Sequence, residues 1–127
     1  MKVTVFGTTG QLARSLAHTK AARIRPTFLS RDDCDLRDAE MIRSVLTRQQ
    51  PDFVINAAAY TAVDRAESEA ALAHTINADA PCVMASACKE IDAVFMHYST
   101  DFVFDGASGV PYTENSPTAP ASVYGQS

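Results

Sequence analysis

The segment Gly7-Thr8-Thr9-Gly10-Gln11-Leu12-Ala13 closes a short apolar run with two glycines and opens a stretch of small and apolar residues. A turn of this kind frees backbone N–H groups next to the positive end of a following helix, and together they can hold a pyrophosphate. Ala13 stands where the usual fingerprint has a third glycine, which still lets a helix pack near a sheet but leaves the bare string readable as a plain turn. Its position between a strand and a helix favours the phosphate reading.

Cofactor choice is normally decided after the second strand, where a carboxylate would accept hydrogen bonds from a ribose diol and repel a 2′-phosphate. Ser30 and Arg31 occupy that place. A hydroxyl followed by a guanidinium suits a 2′-phosphate, so NADPH is expected over NADH. NADH stays open, because Arg31 also reads as a solvated surface residue.

The elements that must carry these groups follow from periodicity. Val3 to Phe6 reads as a strand, and Leu12, Ala13, Leu16 and Ala17 as one face of a helix. Thr27 to Ser30 reads as a second strand, followed by a helix capped near Asp38 with Met41, Ile42, Val45 and Leu46 on its apolar face and Pro51 at its end. Phe53 to Ile55 reads as a third strand, then a long helix with Leu72, Ile76, Ala80, Val83 and Ala87 on one stripe, and Ala93 to Tyr98 as a fourth strand. Alternation at this spacing predicts an α/β fold, a Rossmann-like doubly wound parallel sheet with helices on both faces. After Ser99 the glycines and prolines at 106, 109, 111, 117 and 120 break every period and predict a long functional loop.

The 127 residues fit one domain. With 46% hydrophobic and 20% charged residues, and neither a spanning nor a signal segment, the chain is expected to be cytoplasmic, with no membrane partner. A net charge of −4 offers no basic face to nucleic acid. Cys34, Cys82 and Cys88 form no CxxC pair, and His18, His74 and His97 lack ligand spacing, so no metal site is expected.

Three further stretches stand in order: Asn56-Ala57-Ala58-Ala59-Tyr60-Thr61-Ala62-Val63-Asp64, Ser99-Thr100-Asp101-Phe102-Val103-Phe104-Asp105-Gly106, and Val123-Tyr124-Gly125-Gln126-Ser127. With them the whole chain resembles the dTDP-4-dehydrorhamnose reductase family of extended short-chain dehydrogenases/reductases. The resemblance implies NADPH-dependent reduction of the 4-keto group of dTDP-4-dehydro-6-deoxy-L-mannose to dTDP-L-rhamnose, a nucleotide-sugar substrate. It also implies that Gly10, Gln11 and Leu12 touch the cofactor phosphates, Asp35 and Leu36 the adenine, and Ala59, Tyr60, Thr61 and Tyr98 the rest of the cofactor groove. Gly7 belongs to the same turn. Thr100 would steady the reacting carbonyl, Asp101 would contact substrate, and Tyr124 would donate the proton.

The chemistry explains these types. Hydride addition to a ketone builds negative charge on oxygen, which needs a donor within about 3 Å that can release a proton. A phenol, with its ordinary pKa of about 10, needs a nearby cation to serve at neutral pH. In the resembled family that cation is a lysine four residues after the tyrosine, one helical turn on, and the sequence ends at Ser127 before that position. The chain is therefore expected to be the N-terminal portion, residues 1–127, of such a reductase: cut before the last strands and the substrate domain, inactive alone, with an exposed sheet edge and a homodimer open to the full-length protein. Taken alone, Tyr124 reads as a loop aromatic at the domain edge.

Pro81 deprives the Asn77 carbonyl of its amide partner and predicts a kink; Asn77 reads equally as part of a proton path or of a helix bent round the sheet. Asp64, Arg65, Glu67 and Glu69 read as a solvated helix start without catalytic role. Two other functions fit the same motifs. One is a non-catalytic NADP-binding regulatory subunit similar to the partner of methionine adenosyltransferase, and the other a sugar-nucleotide epimerase or dehydratase.

Overall fold

The computed structural model describes residues 1–19 and 24–127. Four strands, β1 (Lys2–Phe6), β2 (Arg25–Leu29), β3 (Phe53–Asn56) and β4 (Val94–His97), form a wholly parallel sheet in the order β2-β1-β3-β4. The chain steps from β1 to β2 on one side and then crosses to β3 on the other. The sheet thus reverses direction between β1 and β3, and at such a switch point the two loops leaving the strand ends diverge and open a crevice.

Register sorts the side chains by face. Thr4 and Phe6 of β1 pair with Val54 and Asn56 of β3, and this face meets α2 (Ala39–Gln49) and α5 (Ala80–Glu90). Phe6, Leu29, Ile42, Leu46, Val54, Met84 and Cys88 form its core, all at most 7% exposed. Thr4 donates its hydroxyl to Gln49 Oε1 at 2.6 Å, which satisfies a polar group buried in that layer. Val3 and Val5 point to the opposite face, where α1 (Gln11–His18) packs with Ala13 fully buried. That face is only partly covered: Val94 and Met96, in register with Phe53 and Ile55, are 51% and 46% exposed.

Several sequence expectations shift in detail. Strand β2 begins at Arg25 and includes Pro26, at the sheet edge where a missing N–H costs no ladder bond. Asp38 does cap α2, its carboxylate accepting from the Met41 N–H at 3.0 Å. Met41 itself, however, is 37% exposed, and its sulfur instead accepts from the Asp35 N–H; the buried stripe is Ile42, Val45 and Leu46. The long third helix is a run of α4 (Ala70–His74), a π-helical turn (Thr75–Asp79) and α5. Pro81 cannot donate, and the Ala80 N–H reaches back five residues to the Thr75 carbonyl, so the expected kink is absorbed as a widened turn. A short helix, α3 (Val63–Ala66), precedes α4.

After β4 a 3₁₀ turn (Asp101–Val103) leads into an irregular loop and then a last short helix, α6 (Val123–Gln126). The loop is ordered by its own contacts. The Tyr112 ring stacks on Phe104 with centroids 4.3 Å apart and its hydroxyl donates to Asp105, while the Ala119 N–H donates to the Val103 carbonyl. Among the described residues no helix is long and apolar enough to cross a membrane.

Truncating Ile42 to Ala removes a fully buried side chain from the α2 layer and is expected to cost about 2–5 kcal/mol. Asp38→Ala should cost about 1 kcal/mol through loss of one cap. Urea unfolding of the two variants checks the order.

Candidate functional site

The sheet ends in a groove. Gly7 leaves β1 at φ +106°, a left-handed conformation that side chains resist, and its missing Cβ would stand 3.1 Å from the Ala57 carbonyl oxygen. Gly10 is placed similarly, 3.6 Å from the same oxygen. Gly7 therefore lets the first loop lie directly against the chain leaving β3, while a Cβ at Gly10 would make only an ordinary contact there. Helix α1 starts at Gln11 with no side chain capping it, so its first N–H groups face the crevice unpartnered by a cap.

Two adjoining hollows share Ala58 and Ala59 as their common floor. The first, about 320 Å³, lies over the ends of β1 and β2 and is bordered by Gly7, Ser30, Arg31, Asp35, Leu36 and Tyr60. The second, about 380 Å³, lies over the ends of β3 and β4 and is bordered by Leu12, Tyr98, Thr100 and Tyr124. Residues spread across the sequence thus line two hollows that meet at Ala58 and Ala59. Gly10, Gln11 and Thr61 are exposed and border neither hollow, and Asp101 lines a separate depression with Phe102, Asp105 and Tyr112.

At the β2 end, Ser30 donates its hydroxyl and its backbone N–H to Asp33 Oδ2, at 2.6 and 2.9 Å. These bonds hold the Asp33 carboxyl below its usual pKa. Arg37 grips Asp35 through Nε and Nη2, which pushes that carboxyl far below the usual range; Arg31 stands farther off, its Nε 3.7 Å from Asp35. The Arg31 guanidinium keeps most of its donors for another anion.

At the β4 end, Thr100 caps the 3₁₀ turn, its hydroxyl oxygen accepting from the Phe102 N–H at 3.2 Å while its proton reaches Asp101 Oδ1 at a weak 3.3 Å. Tyr124 meets Phe102 edge-on at 5.4 Å. Helix α6 sits this close because residue 125 is glycine: a Cβ there would fall 2.2 Å from the Phe102 carbonyl oxygen. Gly125 thereby sets the approach of the Tyr124 segment to the Thr100 turn.

Two residues to which sequence reasoning gave no role, Asn56 and His97, meet beside the groove. Buried Asn56 ends β3, its amide oxygen accepting from the Ala58 N–H and its nitrogen contacting His97 Nδ1 at 3.2 Å. Desolvation of the ring lowers the His97 pKa, so the neutral form with Nδ1 as acceptor is favoured. Asn77, on the π-helical turn, accepts from the Tyr60 N–H at 2.8 Å and donates to both the Tyr60 carbonyl and Ser127 Oγ at 3.0 Å. Through its side chain it fastens the Tyr60 loop to the end of α6. Pro81 was the one sequence signal. Cys34 and Cys88 are buried with thiol pKa values pushed up to about 11 by desolvation, which makes them inert packing groups.

The full chain, residues 1–127, matches the family model described as RmlD substrate binding domain. It is 45% identical over 127 residues to a dTDP-4-dehydrorhamnose reductase of Burkholderia thailandensis, covering 100% of this chain and 43% of that protein. Among solved structures, a dTDP-4-dehydrorhamnose reductase from Clostridium acetobutylicum superposes with a TM-score of 0.95 at 35% identity, over 99% of this chain and 45% of that one. The enzyme of the same name from Bacillus anthracis, solved in complex with NADP, gives 0.93 at 31% identity, over 98% and 45%. The chain therefore spans less than half the length of the proteins it matches.

Two glycine substitutions should separate site geometry from general tolerance. Gly125→Ala forces α6 away from Phe102 and is expected to abolish the nuclear Overhauser contact between the Tyr124 and Phe102 rings, whereas Gly109→Ala, with nothing within 4 Å, should leave both the contact and the melting temperature unchanged. His97 adds a pH dependence. Its folded pKa lies below the unfolded value of about 6.5, so the unfolded chain binds the proton first and stability should fall as pH drops below that value. His97→Gln should flatten that part of a melting-temperature profile.

Proposed function

This chain belongs to the RmlD substrate binding domain family, and from that premise we propose that it forms the cofactor-binding part of an NADPH-dependent reductase acting on the 4-keto group of dTDP-4-dehydro-6-deoxy-L-mannose. The observation that carries the reading is the pair of hollows meeting at Ala58 and Ala59, one with the Gly7–Ala57 approach and the other with Thr100 and Tyr124. Relatives that match nearly the whole of this chain are dTDP-4-dehydrorhamnose reductases, and one is solved with NADP.

The groove suits a dinucleotide. A Cβ at Gly7 would fill the space between the two loops, and the uncapped start of α1 offers N–H donors to a pyrophosphate. Asp35 and Leu36 would take the adenine side, Ser30 and Arg31 a 2′-phosphate, and Gly10, Gln11 and Leu12 the diphosphate. Ala59, Tyr60, Thr61 and Tyr98 would hold the ribose and nicotinamide side. When bound, the nicotinamide supplies the hydride.

The protein's own groups then manage charge and proton. As negative charge grows on the ketone oxygen, the Tyr124 hydroxyl donates a hydrogen bond and then its proton. Thr100 turns its proton from Asp101, held only at 3.3 Å, toward the same oxygen while still accepting from the Phe102 N–H. Asp101, in the depression beyond the turn, would meet only a sugar that reaches past Thr100.

Calorimetric titration with NADPH and NADH tests the first half of this reading. Saturable NADPH binding, weakened at least about 10-fold by Arg31→Ala while NADH binding changes little, is the expected result, since one charge-assisted contact is worth about 1.5–3 kcal/mol. Equal loss for both cofactors would remove Arg31 from the 2′-phosphate site. Failure of both cofactors to bind a folded chain would overturn the reading.

A further inference from the structure

The charged cluster after β3 holds more than a solvated helix start. Glu69 accepts from the Tyr60 hydroxyl and from Arg65, which fixes the aromatic ring beside the groove. Glu67, at the end of α3, turns the other way and crosses to the last helix: its Oε1 accepts from the Val123 N–H at 2.9 Å, across 56 residues of sequence. Val123 is the first residue of α6 and immediately precedes Tyr124.

The first turn of a helix leaves its N–H groups without intrahelical partners. Tyr124 lies in the first turn of α6, so the bonds that anchor that turn bear on where it points. Ser122 takes the Gly125 N–H, a bond within the local segment. The bonds to the rest of the domain are the Glu67 carboxylate at one end and the Asn77 amide on Ser127 at the other, with Gly125 seated on Phe102 between them.

We propose that Glu67 is a positioning residue for Tyr124: by accepting the Val123 N–H it fixes the start of α6, and with it the direction from which the tyrosine hydroxyl enters the groove. The proposal rests on Tyr124 being the proton donor. Glu67 itself touches neither the groove nor a reacting atom. Its carboxylate also places negative charge at the positive end of α6, which strengthens the bond.

Three variants of the 127-residue protein test this. Glu67→Ala removes the acceptor and Glu67→Gln keeps a neutral one. Val123→Pro deletes the donor from the other side at a first-turn position where proline is well tolerated. The readouts are Val123 amide exchange, the Tyr124 ring signals with their contact to Phe102, and NADPH affinity. In Glu67→Ala the Val123 amide should exchange roughly 10-fold faster and the Tyr124–Phe102 contact should fade, with NADPH affinity within about twofold of the parent. Glu67→Gln should restore the contact. Val123→Pro should lose it as Glu67→Ala does, and the double variant Glu67→Ala with Val123→Pro should lose no more, because both remove one bond.

Unchanged Val123 exchange and Tyr124 signals in Glu67→Ala would overturn the proposal, as would a Glu67→Gln that behaves like Glu67→Ala. Should Glu67→Ala fail to fold, Val123→Pro carries the same test, and an intact Tyr124–Phe102 contact in it would be decisive against. If the parent itself binds no NADPH, the cofactor reading fails, while the ring and amide comparison still decides whether Glu67 orients Tyr124.

Discussion

The close approach of Gly7 to the backbone of Ala57 is the constraint on which the groove depends. A parallel sheet whose order reverses between β1 and β3 must send two loops apart at that point, and the crevice between them is useful only if its floor is bare backbone. A side chain at residue 7 would meet the Ala57 carbonyl and carbon at 3.1 and 3.2 Å while forcing a conformation at φ +106° that β-carbons disfavour. The small residues that follow, Ala58 and Ala59, continue that floor beneath both hollows. Asn56 then supports the turn from below by accepting the Ala58 N–H.

The far end of the groove is assembled by a different means. There the chain has no regular layer to rely on, and short segments are fixed by single bonds to rigid neighbours. The 3₁₀ turn carries Thr100, a glycine without a β-carbon lets α6 settle on it, and side chains from the segment after β3 tie α6 down. The π-helical turn matters because it allows Asn77 to reach Tyr60 and Ser127 at once. A helix interrupted by proline has in this way become the link between the cofactor side of the groove and the tyrosine side.

Much of this was legible in the sequence. The strands and helices announced themselves because burial imposes strict periods: Val3 to Phe6 and the Ile42, Val45, Leu46 stripe sit as read. Met41 fell outside its stripe because an apolar residue at the edge of a helical face can turn to solvent and to a local N–H. The family motifs pointed to Thr100, Tyr124 and the glycine turn, and the family match agrees with that resemblance. Contacts across long separations were not legible. Nothing local in Glu67 reveals that its partner is Val123, and nothing in Val-Tyr-Gly shows that the glycine is needed because the Phe102 carbonyl lies beneath it.

The claim that one groove serves both the dinucleotide and the tyrosine is tested most directly by a crystal structure of the protein grown with NADPH. The account predicts diphosphate density against the backbone of residues 7–12, adenine beside Asp35 and Leu36, and the nicotinamide ring between Thr100 and Tyr124. Density that runs elsewhere on the sheet, or that lies reversed with the nicotinamide at Arg31, would contradict it.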